Sequence, residues 1–317
     1  MKSPLRLLCH LILLLIAAFA PPAHATEAPV VAPYQMDLTE LNSRILRKVR
    51  AEHASARELA PEIAEFDVLL AKYKGQLEAE LGIRLNRAMF TLAVLKDEAS
   101  AKGQYEAVQK NYPGTNGANT ADRMLASLTP EAKAKRTAAM AAHQAKLDAV
   151  RNNPAPQIDF AWSTRDGLKQ LSDLRGSVVV LDFWATWCGP CIASFPKVRA
   201  EVAYFANSPV VFLGVTSLQG KVMNLGPKPI DVKDQPEKEY ALTANFKKKH
   251  EMTWDIAFSS QKVFNDDYAV TGIPSMVIID PAGKVRHLGL NPHDSTADIQ
   301  GRIASILKEF NLPVPPA

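Results

Sequence analysis

Ser177 to Cys191 reads S-V-V-V-L-D-F-W-A-T-W-C-G-P-C, and this stretch decides the fold. The run from Ser177 to Trp184 is almost continuously apolar, as expected of a strand covered on both faces. A short turn follows, and Cys188 then stands where a helix should begin. Unpaired N–H groups and the helix dipole at that end favour thiolate over thiol. Cys191 lies one helical turn further on, a spacing that brings two sulfurs within bridging distance. Such a thiolate can attack a partner's disulfide, and the second cysteine can then attack the first and release the partner.

Two other uses of the pair are weighed against this one. A zinc site needs about four ligands, and the sequence offers neither a second cysteine pair nor an H-x-x-H to complete it. A purely structural disulfide across two residues would constrain the unfolded chain very little. The reversible redox pair is the leading reading.

Outward from this stretch, strands alternate with helical stripes. Phe195, Val198, Val202 and Phe205 mark a helix, Val210 to Val215 a second buried strand, and Glu237 to His250 another helix. Met276 to Ile279 and Lys284 to His287 read as a hairpin turning at Pro281-Ala282-Gly283, followed by a helix from Thr296 to Phe310. This alternation predicts an α/β domain with a partly parallel sheet. A Gly/Pro/Lys-rich segment from Leu218 to Pro236 is either a specificity loop or a tolerated insertion. Lys247-Lys248-Lys249 reads as a solvated helix face, and the histidines show no ligand spacing.

The other half of the 317-residue chain has a helical period. Stripes run through Leu38, Leu41, Ile45 and Val49, through Ile63, Phe66, Leu69 and Tyr73, and through Ile83, Met89, Leu92 and Leu95. Tyr105 to Thr115 with Ala121 to Leu125 resembles one tetratricopeptide-type hairpin; no second copy is visible, so helical hairpins describe the region better than a solenoid. A last helix is expected from Thr129-Pro130-Glu131 to about Asn152, as a spacer or docking helix.

At the N-terminus, Lys2 and Arg6 precede the apolar stretch Leu7 to Ala20, the break Pro21-Pro22 and the small-x-small site Ala23-His24-Ala25. This is the pattern of a cleaved secretory signal, with an uncleaved anchor as the alternative. Cleavage takes the formal charge from +4 to +2, which gives no case for nucleic acid or a polybasic membrane patch. Cys9 leaves with the signal, and Cys188 and Cys191 remain in an exported chain, where disulfides persist. A periplasm fits best. The expected organisation is a signal (1–25), a proline-containing lead-in (26–37), a helical domain (38–152) and the α/β domain (153–317).

The motifs A-P-Q-I-D-F, L-S-D-L-R-G, V-V-V-L-D-F-W-A-T-W-C-G-P-C and V-T-G-I-P-S-M-V-I-I-D-P-A-G-K-V stand in this order from Ala155 onward. That half of the chain resembles the thioredoxin superfamily, and within it the exported TlpA-like thiol–disulfide oxidoreductases; the helical half lies outside the resemblance. The resemblance implies a thioredoxin-like fold, with Cys188 as nucleophile and Cys191 as resolving cysteine. Asp182 matches the family's buried acid. Desolvation should raise its pKa, so that it exchanges a proton with Cys191. Pro274 matches the cis-proline facing the dithiol, beside which the backbone of Ile273 could pair with an extended client. Trp187, Gly189 and Pro190 would add contact surface, Trp184 contact or core, and Pro196 a helix bend. The exit from Val210 to Val215 carries neither a lysine nor a glutamate of the kind found near this acid in relatives.

Gly-Pro between the cysteines matches thioredoxin, at about −270 mV against about −120 mV for the oxidant DsbA. The resemblance therefore points to a protein-disulfide reductase acting on client proteins. No nicotinamide or flavin motif is visible, so the Cys188–Cys191 disulfide itself is the expected redox group, recharged by a membrane electron donor. Two other functions are carried: a dimeric isomerase or chaperone-like adaptor using residues 38–152, and a thiol peroxidase, which the missing P-x-x-x-T-x-x-C context disfavours. Client and oligomeric state stay open.

Overall fold

The computed structural model describes residues 31–316. The signal, its cleavage site, Cys9 and the start of the lead-in lie outside the described residues. The chain divides into two compact units, up to Thr137 and from Ala138 onward.

The first unit is all-helical: α1 (Pro33–Arg50), α2 (Ala60–Lys72), α3 (Leu77–Ala93), α4 (Glu98–Asn111), α5 (Asn116–Ser127) and the start of α6 (Pro130–Val150). The first helix begins five residues earlier than the stripe from Leu38 suggested, because Pro33 sits in its first turn, where a missing N–H costs nothing. Most of each anticipated stripe is buried, with Leu41, Ile45, Phe66, Ile83 and Met89 sharing one cluster, while Ile63, Leu92 and Leu95 are only partly buried. The pair α4–α5 is the hairpin read from Tyr105 to Leu125. Gly114 takes a positive φ of 77° in its turn, and Thr115 Oγ1 caps α5 by accepting from Ala118 N. Tyr105, Val108 and Ala121 form a second cluster with Leu81 and Leu85.

The second unit is built on a six-stranded sheet. Its strands are β1 (Phe160–Ser163), β2 (Val178–Phe183), β3 (Val210–Thr216), β6 (Asp255–Ser259), β7 (Ser275–Ile279) and β8 (Val285–Leu290), in spatial order β1-β6-β3-β2-β7-β8. Strands β2, β3 and β6 are parallel; β1, β7 and β8 pair antiparallel to their neighbours. The helices α7 (Gly189–Tyr204), α8 (Pro236–Lys249) and α9 (Ile299–Glu309) complete this mixed sheet flanked by helices, a thioredoxin-like fold. The β7–β8 hairpin turns at Gly283, φ 81°.

Period two along β2 sorts its side chains. Val178 and Val180 join Trp184, both cysteines, Phe195, Phe246 and α9 residues in one cluster. Val179, Leu181 and Phe183 join Leu213, Val215, Val277 and Ile279 in the other. Asp182 therefore falls on the cysteine face. The end of α6 also belongs to this unit, since Leu147 and Val150 pack against the second cluster. The division at 137/138 thus cuts α6, whereas composition had suggested a border after residue 152.

Three regions depart from the sequence reading. Strands β1 and β6 were not anticipated. The segment 218–236 contains a small antiparallel pair, β4 (Lys221–Val222) with β5 (Ile230–Asp231). Lys247 and Lys249 are not merely solvated: Lys247 Nζ donates to the carbonyls of Met252 and Trp254, and Lys249 Nζ to those of Asn224 and Leu225. Their long stems reach carbonyls of adjoining loops, one of which, Asn224 O, also lies 3.1 Å from His250 Nε2.

Candidate active site

The strand β2 ends at Phe183, and its edge bond pattern continues one residue further, with Trp184 N donating to Val215 O at 3.1 Å. Cys188 is the N-cap of α7, its extended backbone (φ −81°, ψ 94°) handing over to the helix. Pro190 occupies the first turn, where the fixed φ of proline suits a helix start. Cys191 N donates to Cys188 Sγ at 3.1 Å, and a disulfide joins the two residues across a Cα–Cα distance of 5.2 Å. Both cysteines are buried in this oxidised state, while Gly189 and Pro190 are exposed and Trp187 is half-buried. Pro196 lies inside α7.

Asp182 is 2% exposed, and neither carboxylate oxygen has a hydrogen-bond partner. Desolvation alone pushes its pKa up to about 7, because a buried carboxylate without donors is held in its neutral form. On the adjacent strand the residue in register is Gly214. A Cβ there would stand 2.8 Å from Trp184 Nε1 and 3.1 Å from Trp254 Nε1. Both indole nitrogens are buried and unpartnered, so the glycine is the floor on which two indoles converge beside the acid. Trp184 is core: it is fully buried, stacked on Phe246 at 5.3 Å and edge-on to Phe195 at 5.8 Å.

The Ile273–Pro274 bond is cis. Phe183 pairs with Ser275, the first residue of β7. That register sets Pro274 level with Trp184, at the end of the sheet from which the dithiol turn leaves. Pro274 is buried and Ile273 partly exposed. The structure thus gathers Asp182, Trp187, Cys188, Gly189, Pro190, Cys191, Ile273 and Pro274 at one end of one sheet.

Thr186, Gln219, Glu239 and His293 adjoin this end, and the sequence assigns none of them an individual role. Trp187 Nε1 donates to Gln219 Oε1 at 2.9 Å. Thr186 Oγ1 accepts from Met223 N at 3.1 Å, and Thr186 O from Asn224 Nδ2 at 2.7 Å. Glu239, 3% exposed, accepts from Gln219 N at 2.8 Å and Gly220 N at 3.0 Å. His293, one of the histidines to which no role was assigned, sets its Nε2 2.7 Å from the carbonyl of Pro190. Only the glutamate could have been suspected, as an acid in the first turn of α8, and there it looks like an ordinary dipole partner.

Residues 151–302 match the Redoxin family model. The thiol-disulfide oxidoreductase ResA of Bacillus subtilis is 30% identical over 116 residues, 37% of this chain and 54% of that protein. ResA of Oceanobacillus iheyensis is 33% identical over 119 residues, 38% of this chain and 52% of that protein. The chain thus spans about half the length of these two relatives. The thioredoxin-like protein YneN of Bacillus subtilis is 30% identical over 138 residues, 41% of this chain and 68% of that protein. The solution structure of a thiol:disulfide interchange protein from Bacteroides sp. aligns over 51% of this chain and 90% of that one, at 18% identity and a TM-score of 0.36.

Proposed function

The chain belongs to the thioredoxin-like family, and on that premise we propose that it is an exported thiol–disulfide oxidoreductase that reduces disulfides of periplasmic client proteins. The observation that carries the proposal is the dithiol itself: Cys188 caps α7, bonded to Cys191 on the sheet face that also holds the orphan acid Asp182.

The cycle starts from the reduced form. The Cys188 thiolate, favoured by the helix N-terminus, attacks one sulfur of a client disulfide. The Cys188–client bond forms, the client S–S bond breaks, and the departing client thiolate takes up a proton. Cys191 then loses its proton to Asp182 and attacks Cys188 Sγ. The Cys188–Cys191 bond forms, the client's second sulfur leaves as a thiolate, and Asp182 returns the proton to it. Two electrons and two protons have passed to the client, and the protein is in the disulfide form described above. A carboxyl whose pKa lies near 7 suits this shuttle, because it both accepts and releases a proton at neutral pH. Trp187, Gly189, Pro190 and the Ile273 backbone would border the client, with Pro274 shaping that edge. The redox group is the cysteine pair, and an electron donor in the membrane would restore the dithiol.

The deciding experiment equilibrates the chain from Thr26 in graded dithiothreitol buffers and reads the Cys188–Cys191 potential. A value near about −270 mV supports a reductase; one near about −120 mV makes it an oxidant or isomerase and sinks the proposal. Cys191→Ser should in addition arrest with client held on Cys188 as a mixed disulfide.

A further inference from the structure

The segment between β3 and α8 is not a loose insertion. Its first residues are gripped from three sides. Ser217 Oγ accepts from Val263 N at 3.1 Å and from Gln219 Nε2 at 3.0 Å. The Glu239 carboxylate takes the backbone N–H groups of Gln219 and Gly220, and Thr186 takes Met223 N and the Asn224 amide. A buried carboxylate is costly unless its lone pairs are satisfied, and here two backbone donors offset that cost. All of this holds Gln219, whose side-chain oxygen accepts the indole N–H of Trp187. The residue next to the nucleophile is therefore fixed by a segment some thirty positions away in sequence.

What the clasp presents is apolar. Phe264 is 43% exposed and its ring lies 6.2 Å from that of Trp187. Leu218, 48% exposed, directly precedes Gln219, and Val263 N is bound to Ser217 on its other side, so Leu218 and Phe264 stand on adjoining strands of loop. Ile273 is partly exposed before Pro274, and Gly189 and Pro190 carry no charge. Exposed large apolar side chains beside a reactive sulfur mark a contact surface rather than core. A tethered aromatic wall gives up little conformational entropy on contact.

We infer that Ser217–Leu225, clasped to Thr186 and Trp187, is a client-selecting element: with Phe264 it holds Trp187 as a fixed apolar wall, so that the site prefers disulfides flanked by an aromatic or large aliphatic side chain. The inference rests on the reductase reading above and names its substrate class.

The test uses protein reduced with dithiothreitol and desalted, so that the dithiol supplies both electrons. Three oxidised probes are compared: hydroxyethyl disulfide, and two disulfide peptides identical except for Phe or Asp beside the cysteine. Each peptide rate is divided by the rate of dithiothreitol with the same peptide, which removes intrinsic reactivity. The Phe peptide should be reduced about tenfold faster, the discrimination expected of one apolar contact. Phe264→Ser should bring the ratio below about threefold, and Gln219→Leu, which frees the indole, should do the same. Because the ratio is taken within each variant, a general loss of reactivity does not imitate the effect. A wild-type ratio within twofold, a preference for the Asp peptide, or an undiminished ratio in either variant overturns the inference while leaving the reductase reading intact. Failure to reduce hydroxyethyl disulfide removes both.

Discussion

The two faces of the six-stranded sheet are built from the same strands to different ends. Behind β2, Val179, Leu181 and Phe183 close a cluster of aliphatic and aromatic side chains. In front of it, Asp182 interrupts the series Val178, Val180 and Trp184, and the cluster there is rich in aromatics and holds the disulfide. This front face also carries the buried polar atoms without partners that adjoin Gly214: the Asp182 carboxylate and the indole nitrogens of Trp184 and Trp254. One residue of offset along a single strand separates a face built for cohesion from a face that tolerates an unfavourable group. Buried polar groups without partners cost stability, so a sequence that keeps them has another use for them.

The sharpest way to break this comparison is through Asp182. Well below pH 4 its carboxyl is neutral whether the chain is folded or unfolded. Above that, the unfolded chain loses the proton while the folded chain keeps it up to about pH 7. Stability from this group is therefore complete in acid and is lost as pH rises from about 4 to about 7, by about 4 kcal/mol in all. Other carboxylates titrate over the same range, so the difference between wild type and Asp182→Asn isolates the effect: urea midpoints should diverge in favour of the variant as pH rises. The same variant should slow Cys191's attack on the mixed disulfide by about a hundredfold or more. Parallel stability curves from pH 4 to 8 would mean that the front face is as well satisfied as the back.

The next residue back along β2 supplies the contrast. Leu181 is fully buried in the aliphatic cluster, and Leu181→Ala removes packing and leaves a cavity. Urea unfolding of the oxidised protein should show a loss of about 3 kcal/mol, with no pH dependence beyond that of wild type. An Asp182→Asn variant that gains stability above neutrality beside a Leu181→Ala variant that loses it at every pH is the signature of two faces with separate roles.

The cysteine turn, the apolar strand and the β7–β8 hairpin were legible because each is written in consecutive residues. Asp182 was legible for a related reason, as a charge in an apolar run. The strands β1 and β6 escaped notice because F-A-W-S and D-I-A-F-S are short, and β1 lies at the sheet edge, where apolar periodicity is weakest. The clasp was hidden more deeply. Its bonds join Trp187 to Gln219 and Glu239 to Gly220, and no local pattern distinguishes those residues from surface polar ones. Lys247 misled for the same reason: in K-K-K its charge is visible, while the carbonyls that hold it come from the chain after the helix.

Gly214 offers the smallest and most local test. It pairs with Asp182 across β2–β3 and lies on the front face between Leu213 and Val215 of the back. An added methyl would meet Trp184 Nε1 at 2.8 Å, Trp254 Nε1 at 3.1 Å and Ile256 Cγ2 at 3.2 Å. None of these is the free end of a flexible chain; Trp184 is wedged between Phe195 and Phe246. Gly214→Ala must therefore displace an indole, and overpacking of this kind costs about 2 kcal/mol. Because the displaced indoles sit beside the acid, the stability loss should come with a changed midpoint for the Asp182-dependent pH curve, which Leu181→Ala leaves alone. A variant as stable as wild type with an unmoved midpoint would show slack around the indoles, and the front face would then owe its unpartnered atoms to loose packing instead of to the chemistry of the dithiol.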